Sequence, residues 1–103
     1  MTTAKHYYEA HVTIDPVSTS DRVHVAGLVA NYRFKLANLL MDKGVPSSLD
    51  TFMTGHDTDL DELVERTRCV VIALQTVGWK VRRYKIEDCV IDSRIRDELE
   101  LLR

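Results

Sequence analysis

Only two cysteines, two prolines and four glycines punctuate this 103-residue chain, and no apolar run reaches the length that crosses a bilayer. Cys69 and Cys89 have neither metal-ligand spacing nor the density of a disulfide scaffold, so both are expected to be buried thiols in a reducing compartment. The N-terminus lacks the long apolar stretch of a signal peptide, which makes the cytoplasm the expected location. Internal repeats and low-complexity segments are absent, and no cluster calls for a metal or a cofactor. A surplus of positive charge is missing too. The formal net charge is −2, so the molecule as a whole does not attract a long polyanion such as nucleic acid.

What remains is an ordinary globular balance, 45% hydrophobic and 29% charged, in a length that suits a single domain over residues 1–103. The charge is polarised locally. Lys80, Arg82, Arg83 and Lys85 place four of the fourteen basic residues within six positions, shortly after the acids Asp57, Asp59, Asp61, Glu62 and Glu65. A small anionic ligand is therefore compatible with the chain.

The sharpest pattern is Tyr8-Glu9-Ala10-His11-Val12-Thr13-Ile14. Strict alternation sends Tyr8, Ala10, Val12 and Ile14 to one face of a strand and Glu9, His11 and Thr13 to the other, spaced roughly 7 Å apart. Asp15-Pro16 ends the strand. Ser18, Thr19, Ser20 and Asp21 are candidate N-caps for a first helix with Val23, Ala26, Gly27 and Ala30 inward and Asn31 as its stop. A second strand is expected within 32–41, where Phe34 and Leu36 alternate, and then a turn over 42–47. Leu49 to Thr54 reads as a third strand closed by Gly55.

The following helix has Leu60, Leu63, Val64, Thr67, Val70, Val71, Leu74 and Val77 at helical spacing. Thr58 with Asp61, or Asp59 with Glu62, would cap its start, and Gly78 its end. A fourth strand runs from Trp79 to Ile91, with Tyr84 and Ile86 on one face and Arg83, Lys85 and Glu87 on the other. Asp92 or Ser93 can cap a short C-terminal helix through Leu102. The order βαββαβ implies an α+β domain of ferredoxin-like type: a four-stranded antiparallel sheet with two helices on one face, plus that short helix. The first strand would be central, and Glu9, His11 and Thr13 would lie on the open face beside Arg83, Lys85 and Glu87.

His11-Val12-Thr13-Ile14 resembles the His-x-Thr-hydrophobic signature of the 2H phosphoesterase superfamily, whose members act on cyclic phosphates and 2′,5′ linkages. The resemblance covers one motif of the two such an enzyme needs. It implies a catalytic His11, as general acid or base, and a Thr13 hydroxyl that holds a phosphate oxygen. The other His-x-Thr, His56-Asp57-Thr58, is followed by Asp59 and is expected at a helix start, so a homodimer would supply the second motif. The plain alternative makes His11 a hydrogen-bonded surface residue. At the helix start itself, Asp57, Asp59, Asp61 and Glu62 oppose an anion, which leaves His56 as the residue of interest there.

Arg83 and Lys85 share a strand face and can grip one phosphate, or equally pair with Glu87, Glu9 and Asp88. Trp79, Tyr84 and Tyr8 read as packing residues, and Tyr7 alone adds aromatic surface near the basic row. Across most of its length the chain also resembles a family of small uncharacterised proteins from bacteria and their phages, through Glu-Ala-His-Val-Thr-Ile, Asp-Thr-Phe-Met-Thr-Gly, Arg-Tyr-Lys-Ile-Glu and Asp92-Ser93-Arg94. That resemblance favours a protein that binds or destroys a nucleotide signal. The expected function is thus binding of a small nucleotide or cyclic phosphate on an open sheet face, with His11 and Thr13 catalytic and Arg83, Lys85, Glu9 and His56 contacting the ligand. The alternative is a non-catalytic protein-interaction module.

Overall fold

A computed structural model describes residues 4–37 and 50–92. Its elements are β1 (Ala4–Ile14), α1 (Thr19–Ala30), β2 (Lys35–Leu36), β3 (Thr51–Asp57), α2 (Leu60–Thr76) and β4 (Val81–Asp92). The strands form one antiparallel α+β sheet in the order β2-β3-β1-β4, with β1 hydrogen-bonded to both β3 and β4. Residues 42–47, Leu49 and the segment from Ser93 through Leu102, where a turn, a strand start and a terminal helix were expected, lie outside the described residues.

The alternation in β1 sets the layers. Ala10, Val12 and Ile14 are fully buried and join Met53 of β3, Val25 and Val29 of α1, and Leu63, Val70 and Leu74 of α2 in one apolar cluster. Both helices therefore cover the same side of the sheet. In register with those residues stand Gly55, Met53 and Thr51. Gly55 does not close β3; it sits inside the strand because the Phe34 ring lies against it, and a Cβ there would come within 2.7 Å of that ring.

Several expectations are corrected by packing. Val23 is 73% exposed, and α1 buries Val25 and Val29 instead of Val23, Ala26, Gly27 and Ala30. Its cap is Ser18, whose hydroxyl accepts from the Asp21 N–H. Among the described residues the second strand is Lys35–Leu36, starting late because Tyr32 and Arg33 still belong to the end of α1, and residues 38–41 of the expected strand lie outside the described residues. Arg33 N–H donates to Ala30 and Phe34 N–H to Val29, a Schellman closure with Arg33 in the left-handed region at φ 61°. The same closure ends α2, where Gly78 at φ 99° donates to Gln75 and Trp79 to Leu74. Asp59 caps α2 through the Glu62 N–H. Leu60, Val64 and Val77 are exposed, and Arg66 takes an inner position unassigned by the apolar spacing. Cys69 and Cys89 are free but only half-buried, because Cys69 falls outside the stripe of α2 that buries Leu63, Arg66, Thr67, Val70 and Leu74, and Cys89 lies opposite Tyr7 on the sheet face away from the helices.

Candidate functional site

The face of the sheet away from the helices is built from register alone. On β1, Glu9, His11 and Thr13 stand opposite His56, Thr54 and Phe52 of β3, and opposite Glu87, Lys85 and Arg83 of β4. Lys35 of β2 extends the central row by pairing with Thr54. Paired residues in a ladder share a face, so all of these side chains project together. Among the described residues, no element packs over them.

Glu9, His11, Thr13, Phe52, Arg83, Lys85 and Glu87 line a shallow depression of about 370 Å³. Both residues expected to be catalytic, and three of the four expected ligand contacts, are therefore brought together. The fourth, His56, is at the far end of β3 and not at a helix start, because β3 continues through Asp57 before α2 begins. Its Nε2 is 2.9 Å from Glu9 Oε2, while Glu9 Oε1 is 2.8 Å from His11 Nε2. One carboxylate thus holds two imidazoles, and the two His-x-Thr segments supply them from neighbouring strands. An ionised carboxylate only accepts, so each neutral ring carries its proton on Nε2 and keeps the Nδ1 lone pair.

The cations are not equivalent. Arg82 sits where the β1–β4 register shifts, and it pairs with Asp15 at 2.8 Å and Asp50 at 3.6 Å. Those carboxylates raise the affinity of its guanidinium for its proton, the Asp15 hydrogen bond most. Lys85 lies 2.8 Å from Glu87, and this hydrogen bond and charge hold the Glu87 carboxyl below its ordinary range. Arg83 makes no ion pair among the described residues, nor does Lys35, so within the depression its guanidinium is left available to an anion.

Thr13 is 3% exposed, and its side chain forms part of the floor. Tyr7 is on the same face at the His56 end, its ring 5.8 Å from the imidazole. Burial, then the nearby Cys89, pushes its phenol above the usual value.

Three neighbours escaped the sequence reading. Lys35 and Phe52 were legible only once the strand register was known. Arg66 was not legible at all: its guanidinium donates to the carbonyls of Tyr32, Arg33 and His56 and to the Asp57 carboxylate, from beneath the sheet's end. It fixes the β3–α2 corner that carries His56. Among the described residues, no group of three or more His, Cys, Asp or Glu is placed to hold a metal ion. Nor is any described helix long and apolar enough to cross a membrane.

Comparison with protein-family models yields no match, and comparison with curated proteins yields none either.

Proposed function

We propose that this domain binds a small nucleotide or cyclic phosphate on the sheet face away from its helices, as a homodimer of ferredoxin-like subunits. The fold reading is supported by the strand order β2-β3-β1-β4, antiparallel throughout, with α1 and α2 each joining non-adjacent strands. One observation carries the ligand reading: His11, Thr13, Arg83 and Lys85 line the same depression.

In this reading Arg83 meets the phosphate first, through two parallel N–H donors. Lys85 adds charge once a phosphate competes with Glu87 for it. Thr13 supplies a hydroxyl at the floor. His11, held through Nε2 by Glu9, presents Nδ1 as hydrogen-bond partner or as general base. His56 on the same carboxylate is a second imidazole, the pairing that the 2H resemblance implies, here within one sheet. The resemblance to small phage and bacterial proteins points to the same ligand class.

Thermal melting with a panel of cyclic and linear nucleotides tests this. A ligand at about 100 times its Kd adds about 2.7 kcal/mol, a shift of about 10–20 °C in a domain this small. The shift is expected to vanish in Arg83→Ala and to shrink in His11→Ala. Turnover of a cyclic phosphate that is lost in His11→Ala would add a phosphoesterase step. No shift with any nucleotide overturns the reading.

A second reading, a non-catalytic interaction module, is favoured by two observations. Glu9 and Glu87 stand inside the depression and oppose an anion, and among the described residues the outer edge of β4, twelve residues long, has no paired strand. Under that reading His11→Ala leaves every nucleotide titration flat.

A further inference from the structure

β4 is the outermost strand on its side of the sheet, and among the described residues nothing pairs with its outer edge. An edge this long is a ready template for another strand unless it is blunted. Charges on an edge usually blunt it, because an approaching strand meets them without compensation. Here they are arranged otherwise. Arg82, Arg83 and Lys85 precede Ile86, and Glu87 and Asp88 follow it, so the strand is positive in one half and negative in the other. Antiparallel pairing with an identical strand superimposes opposite halves. Pairing with an unrelated edge does not.

We infer that β4 docks on β4 of a second copy, antiparallel about an axis at Ile86, joining two four-stranded sheets into one. This deepens the homodimer proposed above and does not depend on the ligand. The register follows from the residues. With Ile86 on the axis, Lys85 stands opposite the partner's Glu87 on the open face, and this pair occurs twice. Arg83 stands opposite the partner's Cys89. On the helix side, Ile86 meets the partner's Ile86, and Tyr84 meets the partner's Asp88.

Sliding by two residues is worse either way. An axis at Lys85 opposes two ammonium groups, and an axis at Glu87 opposes two carboxylates. A one-residue slide would set the polar face of one strand against the helix-side face of the other. Tyr84, 61% exposed although it points to the helix side, gains cover from the partner strand in the favoured register. The axis is perpendicular to the sheet, so both depressions open on one surface. Their His11 strands are separated by three strand spacings, about 14 Å.

Sedimentation equilibrium of the full chain tests this, with a dimer at twice the chain mass of 11.8 kDa expected. Lys85→Glu and Glu87→Lys should each weaken the dimer about tenfold, because each places like charges opposite one another twice. The double exchange Lys85→Glu/Glu87→Lys should restore it, since both cross-strand pairs and the intrastrand pair return with signs reversed. In a Cys69→Ser background, Arg83→Cys should oxidise to a dimer through the partner's Cys89, a link independent of charge. A monomer mass at about 100 µM, or a dimer that the double exchange fails to restore, overturns the inference. A monomer that still melts higher with nucleotide would sink the interface and leave the ligand reading intact.

Discussion

At the scale of single residues, the positions that shape this molecule are those where backbone or charge is used against habit. Arg33 is the clearest. It occupies the left-handed site of a helix closure that normally takes glycine, as Gly78 does at the end of α2. Arg66 holds it there by donating to the Tyr32 and Arg33 carbonyls, at 3.0 and 3.1 Å. The Phe34 ring, buried beside Val29, completes the closure and packs on Gly55. Arg33→Gly removes the left-handed strain and forfeits only a long, exposed pairing with Asp57 at 3.9 Å. It should stabilise the fold by about 0.5–1 kcal/mol, read as a higher urea midpoint with unchanged slope. A lower midpoint would mean that the Arg33 side chain contributes more than its backbone loses.

At the scale of elements, the corner where β3 enters α2 is held by charge. Asp57 accepts the Asp59 N–H at 2.9 Å and the Arg66 guanidinium at 3.1 Å. The backbone hydrogen bond first, and Arg66 after it, keep the Asp57 carboxyl below its ordinary value despite partial desolvation. A carboxyl lowered on folding lends stability that is complete above its unfolded value, near 4, and lost as pH falls through the lower folded value. Asp57→Asn should therefore melt below the parent at neutral pH. The gap should close as the pH is taken below that window, in parallel thermal scans. An equal gap at pH 7 and pH 2 would show that shape, and not charge, holds the corner.

How far these elements could be read in advance depended on whether burial left a pattern. The alternation in β1 was legible because one face is dry and the other wet, and register then carried Glu9, His11 and Thr13 to Arg83 and Lys85. α1 was not legible in this way. Val23, Val25, Ala26, Leu28, Val29 and Ala30 make it apolar nearly all round, so spacing could not choose Val25 and Val29. The second strand begins later than Tyr32, and its start was misjudged because a helix closure built on arginine carries no glycine signal. His56 was misplaced for a related reason. Gly55 looks like a strand end in a list of residues, yet it continues β3 because Phe34 needs its missing side chain.

At the scale of the whole molecule, stability and exposure are unevenly shared along the sheet. β1 and β4 are longer than β3, whose pairing with β1 stops at Tyr8 opposite Asp57. Beyond that point, among the described residues, Ala4–Tyr7 pair with Cys89–Asp92 alone, as a two-stranded ribbon. Such a ribbon has little independent stability, whereas the strand centre lies over the buried cluster of Ala10, Val12 and Ile14. Hydrogen exchange should separate the two. Amides of 10–14 that bond within the sheet should open only with global unfolding, while those of the ribbon should exchange through local opening. The gradient also sorts the functional proposals. The β4 segment that would meet a second copy spans the border between firm sheet and ribbon, so dimer formation should slow exchange across 83–89 as protein concentration rises. Nucleotide binding at His11 and Arg83 should instead slow it at the central rows of β1 and β4 at any protein concentration. Protection confined to 10–14 and insensitive to both would leave the open face without a ligand and the β4 edge without a second copy.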